Sequence, residues 1–340
     1  MAVGSDGIPA VRSYIAVGKE STFGTYASAT TAVAFVSSSF KTEVETQKLD
    51  QIGINRGFSG RVTLGKNVSG TLETFFHPQE STLLVAAALG GPLISTAIST
   101  SAIHHSISAG NFDTTTAIQS LSFNERKGTT NVFRYSGGRV NTLKLSGSIG
   151  EPIMLSADMV FKDSTLLSDD IANTLTYSAV QPFTFVQGVF RYAATEGSLT
   201  STVNEPIQGF ELTINNNVIS DENARSLGTI TVDILPVTRR EIEFKVTNRW
   251  DTTTTFNRFI QATQASVELY FTVGSITSDH GYQCRIRLPK VFNVTGDTEL
   301  SGADEILSSE ITYDVVLDGN AATTTSREIG VTIVNTATAY

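Results

Sequence analysis

The sequence predicts an all-β chain made of two duplicated β-domains in tandem, barrel or sandwich in form, with one flanking helix per unit. Three observations carry that expectation: an internal repeat, a composition suited to strands, and period-2 alternation in the repeated segments. The repeat sets Phe40 to Phe76 against Phe210 to Val246 at a constant offset of 170 residues. It is clearest where Leu72-Glu73-Thr74-Phe75-Phe76 aligns with Ile242-Glu243-Phe244-Lys245-Val246, the apolar positions falling in one phase. A polar loop precedes each strand, with Arg56 in one copy and Arg225, one residue out of phase, in the other. Further on, Met154 to Phe161 matches Glu310 to Leu317 at an offset of 156, so the order of elements is kept. Solenoid units are roughly 20–50 residues long, so this longer period reads as two whole domains.

Composition agrees. A length of 340 residues allows roughly two domains, each large enough for its own core. Charged residues are 17%, below the roughly 25% usual for soluble chains, and the polar surface is largely hydroxyl. Abundant Thr and Val favour the pleated sheet, because their branched side chains hold one χ1 well there. The net charge of −9 and pI near 5.0 argue against a chain that grips nucleic acid with a lysine and arginine excess. They leave open a chain that must avoid gripping it. The single cysteine, Cys284, excludes an intrachain disulfide and is expected to pack as a small apolar residue. The longest apolar run, Leu83 to Leu89, is a third of the roughly 20 residues of a membrane span. Met1 to Pro9 has neither the basic nor the apolar region of a signal peptide. The expectation is a chain that avoids membranes and is made and assembled in a cytoplasm.

The elements come in a definite order. Residues 1–35 read as an N-terminal arm and a first strand, with Ala32 to Val36 as its apolar run. The first β-domain, 36–165, opens with a long hairpin whose tip is Asn55-Arg56-Gly57-Phe58-Ser59-Gly60. Its return strand, Lys66 to Phe76, sets Val68, Gly70, Leu72, Thr74 and Phe76 on one face and Ser69, Thr71, Glu73 and Phe75 on the other. Pro78 to Leu89 then reads as a helix, with proline and an acid near its start and Gly90-Gly91 as its stop. Residues 166–182 form a weakly patterned linker, overlapping the polar stretch from Ser164 to Val180. The second β-domain, 183–320, repeats the order: Ile242, Phe244 and Val246 face inward opposite Glu241, Glu243 and Lys245. Asp251 to Thr263 comes next as its helix, the stripe Phe256, Phe259 and Ile260 able to cover an open barrel end. Residues 321–340 read as a C-terminal strand or arm.

No constellation rises to an active site: the chain lacks a Gly-x-Ser-x-Gly elbow, a phosphate loop, His-Glu-x-x-His and Cys-x-x-Cys. The four histidines, His77, His104, His105 and His280, lie beside no such motif. The adjacent pair His104-His105 would point to opposite sides of a strand, which suits a shared ion poorly. Glu73 and Glu243 are tempting as a carboxylate pair, but twin strands give them similar environments, whereas an acid and a base need different ones. The acidic loop of Asp297, Glu299, Asp304 and Glu305 lacks the alternation of an EF-hand. Trp250 reads as packing at a helix start. Neither a cofactor nor a metal is expected, and the chain is not expected to be an enzyme.

The run Tyr14-Ile15-Ala16-Val17-Gly18-Lys19-Glu20-Ser21-Thr22-Phe23-Gly24-Thr25 resembles the opening of major tail tube proteins of long, non-contractile-tailed bacteriophages. So do the Val68 to Glu73 strand leading to an Ala/Leu-rich helix, Phe133 to Leu143 leading to Gly150-Glu151-Pro152, and Phe210 to Asn217 with Leu288-Pro289-Lys290-Val291 after it. The resemblance implies a β-barrel or sandwich unit with a helix on its flank, six units around each ring, and rings stacked into a tube through which genomic DNA leaves. A two-unit chain would then close the ring as a homotrimer with pseudo-sixfold symmetry. The same resemblance implies a tape measure protein, a tail terminator and distal tail proteins as partners, and DNA that passes without specific binding. Thr71, Glu73, Glu241 and Glu243 are the candidates for the lumen lining. Asn55, Arg56, Phe58, Asn223 and Arg225, at the loop tips, are the candidates for contact between rings. Another virion β-protein, of baseplate or decoration type, or a secreted carbohydrate-binding β-protein would share much of the composition.

Overall fold

The computed structural model describes residues 10–50, 57–58, 60–110, 118–128, 131–167, 171, 174–202, 204–250, 253–296, 307–319, 327–338 and 340. In chain order the first half contains β1 (Tyr14–Lys19), β2 (Thr31–Val33), β3 (Ser37–Ser38), β4 (Lys41–Leu49), β5 (Gly60–Phe75), α1 (Thr82–Leu89), β6 (Gly90–Ala97), β7 (Ile103–Ala109), β8 (Leu121–Lys127), β9 (Asn131–Ser148), β10 (Met154–Phe161) and β11 (Asp163–Leu167). The second contains β12 (Gly188–Ala193), β13 (Gly209–Asn215), β14 (Glu241–Arg249), α2 (Thr254–Ile260), β15 (Ala265–Val273), β16 (Tyr282–Asn293), β17 (Ser308–Val315) and β18 (Gly330–Asn335). The chain is therefore mostly strand, as its composition predicts.

The same antiparallel pairings occur in both halves. β1 pairs β8 as β12 pairs β15, and β4 pairs β5 as β13 pairs β14. β5 pairs β10 as β14 pairs β17, and β8 pairs β9 as β15 pairs β16. β9 then takes β10 and β11 as β16 takes β17 and β18. The first half adds β2, β3 and the β6–β7 hairpin. The segments aligned in sequence thus sit in equivalent pairings, but not in identical register. Thr74 stands opposite Leu155, whereas its counterpart Phe244 stands opposite Tyr313, two residues beyond the counterpart of Leu155. A slip of two keeps every side chain on its own face, because the side-chain period of a strand is two.

Among the described residues two strand pairings cross between the halves. The end of β9 pairs β13, Leu143 opposite Ile214 and Leu145 opposite Leu212, and β7 pairs β18, Ile107 opposite Val331. A single apolar cluster accordingly runs through both halves, from Ile15, Phe40 and Leu72 to Phe244, Ile286 and Ile333. Phe40 stands at its first-half centre, its ring edge-on to Phe123, Tyr135 and Phe161 at 5.5, 5.3 and 4.9 Å. Cys284 is buried in the same cluster, and burial pushes its thiol pKa up.

The two helices differ. Every residue of α1 is buried, so its uniformly apolar sequence matches a helix covered on all sides. It ends where Gly90 takes a left-handed φ of 65° and donates its N–H to Ala86 O. A side chain on Gly91 would collide with Ser108 O, so this stop also lets β6 approach β7. The acid before the helix, Glu80, is buried and holds other segments: its carboxylate accepts from Ala34 N–H at 2.7 Å and Ser178 N–H at 2.9 Å. α2 lies at the surface. Phe256 and Phe259 are half-buried, Ile260 is exposed, and the Trp250 ring meets Phe256 edge-on at 6.4 Å. The 166–182 segment begins inside β11, which pairs β9. The arm expected before residue 35 contains β1, a core strand buried from Tyr14 to Gly18.

Candidate functional site

Strands β5, β10, β9, β13, β14 and β17 are hydrogen-bonded in that order, so one continuous six-strand stretch of sheet passes from the first half into the second. Its inner face carries the core residues. Its outer face is largely polar because most alternate positions along the strands are hydroxyl, amide or charged, with Phe75, Met154 and Val160 as apolar exceptions on β5 and β10. The four lumen candidates, Thr71, Glu73, Glu241 and Glu243, come from segments 170 residues apart. The structure brings all four onto this one face, Thr71 and Glu73 opposite Asp158 and Ser156 on β10, Glu241 and Glu243 opposite Asn215 and Thr213 on β13.

Sequence reasoning missed the rest of the face, because nothing in the sequence says that β9 meets β13. Asp158, Glu211, Glu310 and Asp314 join Glu73, Glu241 and Glu243, so seven carboxylates face three uncovered cations, Lys144, Lys245 and Arg249, among the described residues. Lys144 is paired with Glu211 at 2.7 Å and Lys245 with Glu243 at 2.8 Å. The hydrogen bond to Glu243 holds the Lys245 ammonium pKa above its usual range. Thr71 donates its hydroxyl to Asp158 at 2.6 Å, and Glu73 accepts from the Ser37 hydroxyl at 2.7 Å. A fourth cation, Arg139, is on the same face but covered: its guanidinium lies 4.9 Å over the Phe23 ring and donates to Leu235 O. The exposed face is therefore net negative and presents no cluster of free cations to a phosphate chain among the described residues.

The loop-tip candidates separate. Asn55 and Arg56 lie outside the described residues, as do Asp297, Glu299, Asp304 and Glu305. Phe58 is 61% exposed, with the Lys48 ammonium 5.1 Å from its ring centre. Asn223 sits in a short turn whose Asp221 side chain accepts the Asn223 N–H at 2.9 Å. Arg225 is folded back onto the first half, its guanidinium donating to Glu45 at 2.9 Å and to Asn67 at 2.5 Å.

Two buried acids organise the body behind the face. Glu20 accepts from the Ser122 hydroxyl at 2.6 Å and from the N–H groups of Gly137 and Gly24 at 2.8 and 2.9 Å. It thereby joins the Tyr14 to Thr25 and Phe133 to Leu143 segments. Glu268 on β15 meets Arg191 at 2.7 Å and Arg287 at 2.6 Å.

His104 and His105 do lie on opposite faces of a strand, β7. His105 is buried between Ser95 Oγ at 2.9 Å and Asn335 Oδ1 at 2.8 Å, with Tyr340 packed edge-on at 5.1 Å. Burial lowers the pKa values of both His105 and His77, and pushes that of Tyr340 up to about 12. A histidine whose folded pKa is depressed stabilises the fold fully above the unfolded value of about 6.5, and that stability is lost as pH falls below it toward the folded value. The urea midpoint is thus expected to fall as pH drops from about 7 to 5, with a shallower fall in His105→Phe; an identical slope in the variant would contradict this.

Among the described residues no helix is long and apolar enough to cross a membrane, and no three His, Cys, Asp or Glu side chains are grouped to hold a metal ion. A continuous all-β body with a broad, acid-rich outer face defines a structural β-protein. A family model described as phage tail tube protein matches residues 10–315, nearly the whole chain, and the chain belongs to that family. It is therefore a structural component of the virion tail that assembles with copies of itself into the tube. No curated protein matches the chain.

Proposed function

We propose that three copies close each ring of the tube, every copy supplying two of six sectors, units 36–165 and 183–320, descended from one by duplication. Rings stack into a conduit of the long, non-contractile tail type, with the acidic face of the six-strand stretch turned to the lumen. What carries this reading is the β9–β13 junction, in which the second half continues the sheet of the first. β4 occupies in the first half the place that β13 occupies in the second, paired with its return strand. Its other edge carries no strand among the described residues, so a neighbouring copy can continue the sheet there as β13 does within the chain. Sealing that edge all round the ring would remove it as a site of uncontrolled pairing.

Genomic DNA slides through such a lumen because acids and hydroxyls repel or ignore phosphate. Phe58 and the hairpin tip, with Asn55 and Arg56, take part in contact between rings. The tape measure protein, the tail terminator and the distal tail proteins are its partners in the tail, and assembly takes place in the host cytoplasm. No step requires catalysis.

Reversing the charge of Glu73, Glu241 and Glu243 to lysine tests the lumen assignment. Seven acids against three cations give a net of −4, and three reversals worth two charges each bring it to +2. Tubes are expected to assemble, to retain DNA at low salt and release it as salt rises, and to eject it poorly. Loss of assembly with normal folding would place these residues at an interface between subunits instead.

A further inference from the structure

The β4–β5 hairpin leaves the body as an arm, and its base is gripped from both sides. A bulge interrupts its register: Glu45 stands opposite Gly65 and Thr46 opposite Thr63, leaving Leu64 as the extra residue. Bulges bend a strand pair and re-aim the part beyond the bend. At this bend the loop 217–235 of the second half lies against the arm. The Arg225 guanidinium bridges Glu45 on β4 and Asn67 on β5, and Asn67 in turn donates to Glu45 at 2.5 Å. Ile230 O accepts the Lys66 N–H at 2.7 Å. The loop is anchored beneath by Ala224, Val232 and Leu235, packed with Phe23, Val160 and Val218. On the opposite side Lys66 reaches Asp163 at 2.5 Å.

We propose that this loop is a brace built into the second half to fix the angle of the first half's arm, with Arg225 as its positioning residue. The equivalent segment of the first half is the hairpin tip itself, so the two halves have diverged into an arm and its support. Gly65 is part of the device: a Cβ there would lie 2.1 Å from Arg225 Nη1, so a side chain at 65 would push the guanidinium from its place across the bulge. The arm beyond the bend, with Val62 exposed on it and Leu64 exposed at the bulge itself, would otherwise swing about the bulge. The brace is a property of the isolated chain and does not depend on how rings close.

Hydrogen exchange on the full unassembled chain tests it. Arg225→Ala is expected to speed exchange of the amides of 41–49 and 60–67 about tenfold or more, since it removes charge-assisted hydrogen bonds from a locally opening element, while β14 to β16 stay unchanged. Gly65→Ala should reproduce the effect from the other side with the charge retained, and Arg225→Lys should give an intermediate one, having charge without the fork. Unchanged arm exchange in Gly65→Ala, or in a folded Arg225→Ala, would overturn the brace. Because no tube is needed for this readout, its failure is distinct from a failure of ring assembly.

Discussion

Glu268→Ala is expected to destabilise the chain by about 3 kcal/mol or more, among the largest losses available to one substitution. The carboxylate is fully buried and lies between three guanidiniums, with Arg191 and Arg287 directly opposite on β12 and β16 and Arg285 at 3.4 Å. Removing it leaves cations that repel one another across a three-stranded sheet. The arginines are a fifth to a third exposed, so water recovers part of their solvation, which places the cost at the lower end of the range for broken buried pairs. Urea denaturation of the purified chain measures it. A loss below about 1 kcal/mol would mean that the three arginines relax into solvent without strain.

Glu20→Ala is the second. Three donors converge on this carboxylate, which is 3% exposed, and the substitution strands the buried Ser122 hydroxyl and Gly137 amide and unpairs the half-buried Gly24 amide. At roughly 1–3 kcal/mol for each orphaned buried group, with a water entering the space to satisfy part of the set, the loss is about 3–5 kcal/mol. Glu20→Gln keeps the side chain's shape and one acceptor oxygen, and should cost about half as much. Because Glu20 ties the end of β1 to β8 and β9, limited proteolysis should cut the variant near residues 20–25 first. A variant that melts with the parent and resists protease there would show that the segment is held by packing alone.

These two acids also mark how far the sequence could be read. Glu20 stands between Lys19 and Ser21 in what reads as a polar turn, and only the fold brings Gly137 to it from more than a hundred residues away. Glu268 does sit in an apolar run, Val267 to Phe271, but its three partners lie on other strands. β5 and β14 were legible because one face is core and the other polar, which imposes a strict period of two. The body and end of α1 were legible from its apolar run and paired glycines, whereas its start at Thr82 falls four residues after Pro78, where the sequence predicts it to begin. The matching positions of β1 and β12 were not, because Tyr14 to Lys19 and Gly188 to Ala193 share a kind of pairing partner rather than residues. Arg225 read as a loop tip because its neighbours are turn-formers, whereas its destination depends on the bulge in β5. The acidic face lay half in view: four of its residues come from alternation, and the others require the β9–β13 pairing.

Whether one chain supplies two sectors of a ring is decided by electron cryomicroscopy of assembled tubes, reconstructed without imposed ring symmetry. Three chains per ring are expected in pseudo-sixfold arrangement, with β4 of one copy continuing the sheet of its neighbour and Glu73, Glu241 and Glu243 facing the bore. Six complete chains per ring, or a bore lined by the opposite surface of the subunit, would contradict the duplicated-sector tube.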